Sequence, residues 1–243
     1  MPRARKRARH ERIYAAGGCM SDANVAAVMR GLLQVWAEFD ANLNRVPLIE
    51  KLYRGRLRVG DYQQFLCNHR QQVVEGSRWI ARAASSIGNE HTELRSMFLR
   101  HAVSEHRDFH LLEKNYVASG GTLEVMLATP KNIGTEALHA FMFHRASQPD
   151  PFDLLGAMFI IEGLGQKKAS AWGREIMRQL KLPEDCVSFL LYHGENDGDH
   201  MKEFEAVLGS GILALPGLGA SIVKTAKIVA RLYCLQLEEM GNA

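Results

Sequence analysis

The sequence predicts an all-α protein, a single bundle of about seven helices formed by residues 21–243. Three observations predict it. Beyond residue 20 the apolar residues recur with helical period nearly throughout. No stretch alternates apolar and polar residues over a strand's length between turn signals, so no sheet is expected. No period of 20 to 50 residues repeats, which excludes a solenoid.

The first helix is marked by the stripe Val25, Val28, Leu32, Val35, Trp36 and Phe39. A second is expected from about Val59 to Ile87, with Tyr62, Phe65, Leu66, Val73, Ile80 and Ala83 facing inward. A third runs from about His91 to Val117 and stops at Gly120-Gly121. Thr135 to Ala146 is shorter and is ended by Pro149 and Pro151. The remaining helices cover Phe152 to Leu180, Asp185 to Leu208 and Ser221 to Glu239, with Pro183 and Pro216 at the joins.

At 243 residues and 47% hydrophobic content the chain can bury a sizeable core. No apolar run approaches the ~20 residues that span a bilayer, so no membrane association is expected. The net charge of +3 is unevenly spread. Arg3, Arg5, Lys6, Arg7, Arg9 and Arg12 face only Glu11 in residues 1–19, and the rest of the chain sums to −2. Residues 1–20 are read as a basic, disordered leader, because the basic run has no apolar partners for a core. The leader lacks the apolar stretch of a secretory signal, and Met20, followed by Ser21, is an alternative start. Cys19, Cys67, Cys186 and Cys234 show no CxxC spacing, which argues against a zinc ribbon or disulfide scaffold and fits a reducing cytoplasm.

The chemistry-bearing motif is HxxxDxxH in the sixth helix. Offsets of four and three align His193, Asp197 and His200 on one face. Two imidazoles and a carboxylate suit non-haem Fe(II) or a related divalent ion. Gly194 and Gly198 each cost about 1 kcal/mol in a helix interior, which calls for a local reason such as close approach of a ligand. Glu162, inside Phe159-Ile160-Ile161-Glu162-Gly163-Leu164, is expensive to bury unpaired. A metal resolves that cost, and so would a salt bridge to Lys167 or Lys168. In the third helix Glu105 falls in line with Phe98, Ala102, Phe109, Leu112 and Tyr116, and Asp108 shares its face. His106 and His110 form a second, rotated pair that reads equally as hydrated surface, and the choice between Asp108 and His110 is open. Glu75, one turn from Gln72 and Trp79, is a candidate catalytic carboxylate, with an exposed surface position as the competing reading. Phe109, Tyr116, Phe159 and Tyr192 are near these residues in sequence and are candidates for lining a pocket or for the core.

With Glu105, Glu162 and His193/Asp197/His200 in this order and spacing, residues 22 to 240 resemble the haem-oxygenase-like di-iron oxidase and oxygenase superfamily. The resemblance implies a seven-helix haem-oxygenase-like bundle and a homodimer. It implies two Fe(II) ions held by Glu105, Asp108 or His110, Glu162, His193, Asp197 and His200, with O2 as co-substrate. The implied reaction is oxidation of a small organic substrate, amino-acid-derived or fatty-acid-like, in a biosynthetic pathway. The sequence departs from the family where a His is usual: the position three residues before Leu111-Leu112 is Asp108.

Two other functions fit parts of the sequence. Thiaminase II-like and pyrroloquinoline-quinone-synthase-like enzymes share the bundle without this metal site, but they leave HxxxDxxH unexplained, and neither Cys186 nor Cys67 has a telling His or Glu partner. A non-catalytic helical binding protein would use the basic leader for nucleic acid. The acidic remainder offers no further basic footprint, so no nucleic-acid partner is expected.

Overall fold

A computed structural model describes the backbone of residues 3–240 and the side chains of residues 23–240 apart from Asp199. The leader expected to be disordered over residues 1–20 has helical backbone from Arg3 onward as the first part of α1, and its side chains lie outside the described residues. Among the described residues there are eleven α-helical segments and no strand: α1 (Arg3–Leu43), α2 (Pro47–Tyr53), α3 (Val59–Ser85), α4 (Thr92–Glu105), α5 (Phe109–Ala118), α6 (Leu123–Ala128), α7 (Ile133–Ala146), α8 (Leu155–Leu164), α9 (Ser170–Leu180), α10 (Ser188–Gly209) and α11 (Leu218–Glu238).

These segments contain the seven expected helices, with two expected helices divided and two short ones added. The expected third helix is interrupted at residues 106–108, between α4 and α5. His106 Nδ1 bonds the Val103 carbonyl at 2.7 Å, taking up one of the carbonyls that a continuing helix would use. The chain then tightens through i to i+3 bonds, from Asp108 N to the Glu105 carbonyl (3.3 Å) and from Leu111 N to the Asp108 carbonyl (3.0 Å). The expected fifth helix is unbroken from Leu155 to Leu180 but carries a π-helical turn, Gly165–Ala169, between α8 and α9. The additions are α2, begun by Pro47, and α6, capped by Thr122.

The core runs the length of the bundle. α11 packs against α1, α7 and α8; α3 packs against α4, α5 and α7; α10 packs against α8, α9 and the π turn. Phe39, Leu66, Phe98, Leu112, Met142, Ile160, Phe204 and Ile222 are all buried. Each such side chain stabilises the fold by about 1.5–3 kcal/mol. No helix is long and apolar enough to cross a membrane among the described residues.

Two buried contacts fix the start of α10. Asn115 of α5 is wholly buried. Its Nδ2 donates to the Asp185 carbonyl (2.6 Å) and to Ser188 Oγ (2.7 Å), and its Oδ1 accepts from Phe189 N (3.0 Å). Tyr62 of α3 donates its hydroxyl proton to the Cys186 carbonyl at 2.6 Å. The first turn of α10, which leads to His193, is therefore tied to α3 and α5.

Candidate metal centre

α4, the α4–α5 turn, α8 and α10 bring acids and imidazoles together in two adjoining groups. In the first, one donor atom each from His101, Glu105, Glu162 and His200 lie within 4.8 Å of one another. In the second, donors from Glu105, Asp108 and His193 do the same. Glu105 belongs to both.

Glu162 is buried between two imidazoles, with His101 Nε2 3.2 Å from Oε1 and His200 Nδ1 2.9 Å from Oε2. His200 Nδ1 is also 3.7 Å from Glu105. In the second group His193 Nε2 is 3.4 Å from Asp108, while its Nδ1 bonds Asp197 at 2.9 Å. Asp108 occupies the N-cap position of α5, yet its side chain makes no capping bond and serves His193 instead.

The charges oppose one another. Burial, and then Glu162 nearby, push the Glu105 carboxyl up to about 7. Burial alone would raise Glu162, but His101 and His200 hold it well below the usual carboxylate range. Burial disfavours the His193 cation, and Asp108 and Asp197 outweigh it, carrying the imidazole up to about 10. His200 follows the same logic through Glu162, up to about 9. Burial raises Asp197. Without a metal, protons on the imidazoles balance the crowded acids.

The residues fit divalent metal. Donors each about 2.1 Å from an ion stand up to about 4.2 Å apart, so groups already within 4.8 Å need little adjustment. His101 Nδ1 is buried with no hydrogen-bond partner, and His193 Nε2 is buried with no hydrogen bond formed, Asp108 being its charge partner at 3.4 Å. Mixed imidazole and carboxylate donors suit iron. Asp197 on the far nitrogen of His193 has the place of a carboxylate that fixes a ligating ring.

Several expectations need correction. His193, Asp197 and His200 share a face but do not converge on one point. Seven residues advance about 10.5 Å along a helix, so the two imidazoles fall in separate groups. Asp197, expected as a ligand, is in neither group as they stand without metal: its Oδ1 bonds His193 Nδ1 at 2.9 Å, and the residue lines the adjoining cavity beside Glu105, Glu162 and His193. His110 is on the surface, bonded to Glu113 at 2.8 Å, so Asp108 takes the inward position. Glu75 is outside both groups and the adjoining cavity; Arg78 (2.8 Å) and Lys131 (3.6 Å) pair with it. Lys168 pairs with Asp40, and Lys167 lies over Trp36, so neither satisfies Glu162. Gly194 is explained by helix packing, because a Cβ there would overlap Ser170 of α9. Gly198 meets only Gln166 Nε2 at ordinary contact distance. Packing is therefore the local reason for glycine at position 194, while no contact among the described residues calls for glycine at position 198.

Sequence reasoning missed His101. It lies one helical turn before Glu105, on the inward line of Phe98 and Ala102, and that spacing was the available signal. It also missed the close approach of the π turn to α10. A Cβ at Gly165 would overlap the Asp197 carboxylate, and π turns concentrate at functional sites.

A cavity adjoins the groups, reached by Glu105, Glu162, His193 and Asp197. Phe65, Trp172, Phe189 and Leu237 form much of its wall. The aromatic residues expected near the site, Phe109, Tyr116, Phe159 and Tyr192, do not line it.

A chain with these features matches the family model for iron-containing redox enzymes over residues 77–234. It belongs to that family. Among solved structures it is similar to a domain of unknown function with a haem oxygenase-like fold from Shewanella denitrificans, with 17% identity, a TM-score of 0.79 and coverage of 85% of this chain and 88% of that one. It is also similar to a TenA homologue from Pseudomonas syringae (14% identity, TM-score 0.71, coverage 87% and 91%). A CADD-like protein of unknown function from Nostoc punctiforme is similar as well (14% identity, TM-score 0.66, coverage 88% and 96%). These likenesses show the fold, which is haem oxygenase-like. No curated protein matches.

Proposed function

We propose that the protein is a non-haem di-iron oxidase or oxygenase that uses O2 to oxidise a small organic substrate. The observation that carries the reading is the pair of donor groups sharing Glu105. His101, Glu105, Glu162 and His200 would hold one ion; Glu105, Asp108 and His193 would hold the other, with Asp197 fixing His193. Two Fe(II) ions held there would supply electrons to O2. The protein's own part is to neutralise, orient and exclude. The carboxylates balance the charge of two divalent ions, and the buried Glu162 keeps His101 and His200 aligned. The apolar cavity walls keep bulk water from the substrate side.

A cysteine-dependent reaction on this fold finds no support among the described residues. Cys67, Cys186 and Cys234 are buried, burial raises each thiol, and none lines the cavity. The homodimer and the cytoplasmic setting remain part of the proposal.

The test is rapid mixing of anaerobically iron-loaded protein with O2. A transient visible absorption band that needs both iron and O2, and that is lost in Glu162→Ala, supports the reading. Identical traces from loaded protein, iron-free protein and the variant overturn it.

A further inference from the structure

We propose that His69 is the specificity-determining residue, hydrogen-bonding one uncharged polar group (hydroxyl, carbonyl or amide) on an otherwise apolar, compact substrate. The proposal rests on the cavity beside the di-iron site being where substrate lies.

His69 stands on α3, in the cavity wall, and is only 7% exposed. Its ring stacks on Phe65 with centroids 5.0 Å apart and meets Phe189 edge-on at 5.2 Å. It makes no hydrogen bond among the described residues, and Nδ1 is buried without a partner. It is in neither donor group of the metal centre. Burial also pushes its pKa down to about 3, so the ring is neutral and offers one donor and one acceptor.

A buried polar ring held by aromatic stacking and left unpartnered is costly, and native proteins seldom keep one without a use. Its polar neighbours in the wall outside the metal centre are already engaged: Gln72 accepts from Gln236 Nε2 at 2.6 Å, and Tyr233 hydrogen-bonds Gln72. His69 is the group left open for a ligand.

The cavity sets the rest of the ligand's chemistry. It has about 80 Å³ of free space. At about 10–15 Å³ for each water-sized occupant, that admits a body of about six non-hydrogen atoms. No Lys or Arg lines it, and its charged groups are those of the metal centre. An anion near His69 would therefore be desolvated without a counter-ion. A neutral alkyl or ring body with one polar atom toward His69 matches these walls.

The probes are the near-isosteric pair cyclopentanol and methylcyclopentane, titrated by ligand-observed NMR into the iron-loaded full chain under anaerobic conditions. In His69→Phe the affinity for cyclopentanol is expected to fall about ten-fold relative to that for methylcyclopentane, the effect of one buried hydrogen bond. His69→Gln, which keeps a donor and an acceptor, is expected to retain the wild-type ratio within about three-fold, and this separates the lost bond from disturbed packing. An unchanged ratio in His69→Phe overturns the proposal, as does failure of cyclopentanol to bind wild type. Iron content is measured on the same samples. If iron is absent and the ratio still shifts, the di-iron reading fails and the His69 assignment stands; if iron is bound and the ratio does not move, the reverse holds.

Discussion

Replacing Glu105 by Ala removes the one carboxylate common to both donor groups. The first group keeps His101, Glu162 and His200, and the second keeps only Asp108 and His193. Loss of a group that merely orients a ligand costs 10–100-fold in metal affinity, so losing a direct donor is set at about 100-fold or more. At free iron near 1,000 times the wild-type Kd, metal stabilises the fold by about 4.1 kcal/mol, and a 100-fold loss reduces this to about 1.4 kcal/mol. The difference of about 2.7 kcal/mol corresponds to about 5–11 °C in a chain of this size. The metal-free protein should respond in the opposite direction or not at all, since Glu105 is crowded by Glu162 and Asp108. Anaerobic thermal melts with and without Fe(II) read both effects. An iron-dependent rise in Tm as large in Glu105→Ala as in wild type would refute the shared-ligand geometry.

Other consequences are equally concrete. Asp108→Ala should lower bound iron toward one ion per chain, whereas His110→Ala should leave it unchanged; metal analysis of the two purified variants distinguishes them. Gly194→Ala gains about 1 kcal/mol of helix propensity but drives a Cβ into Ser170, an overpacking cost of about 1–3 kcal/mol, so denaturant melts should show unchanged or lower stability and not a gain. In the metal-free chain His193 and His200 are raised to about 10 and about 9. Their ion pairs stabilise it fully below the unfolded value of about 6.5, and that contribution is lost as pH rises through about 9 to about 10. Fe(II) must displace those same protons, so its affinity should rise between about pH 6 and about pH 9, with proton release measurable in weakly buffered solution.

The sequence made the bundle legible because burial leaves a periodic record. Val25 to Phe39 and Tyr62 to Ala83 announce their helices by spacing alone. HxxxDxxH and the lone carboxylate Glu162 stood out for a related reason, since polar groups on apolar faces demand an explanation. Position in three dimensions was less accessible. The break at residues 106–108 has no Gly or Pro to mark it, and it depends on a histidine ring reaching a carbonyl. Glu75 and His69 are on the same helix but about 120° apart around it, so Glu75 meets Arg78 and Lys131 while His69 enters the cavity wall, and which side faces the cavity is decided by the neighbouring helices. His101 could have been found from its spacing to Glu105. Which nitrogen of His193 faces Asp108 and which faces Asp197 could not, because rotamers are set by packing between helices.

The central claim is that this bundle holds two ions around one shared carboxylate. The most direct measurement is iron content after anaerobic loading with Fe(II) and removal of excess metal, on wild type and on Glu105→Ala. The account predicts about two ions per wild-type chain and a marked loss in the variant. Iron near zero in wild type, or the same content in both proteins, would contradict it.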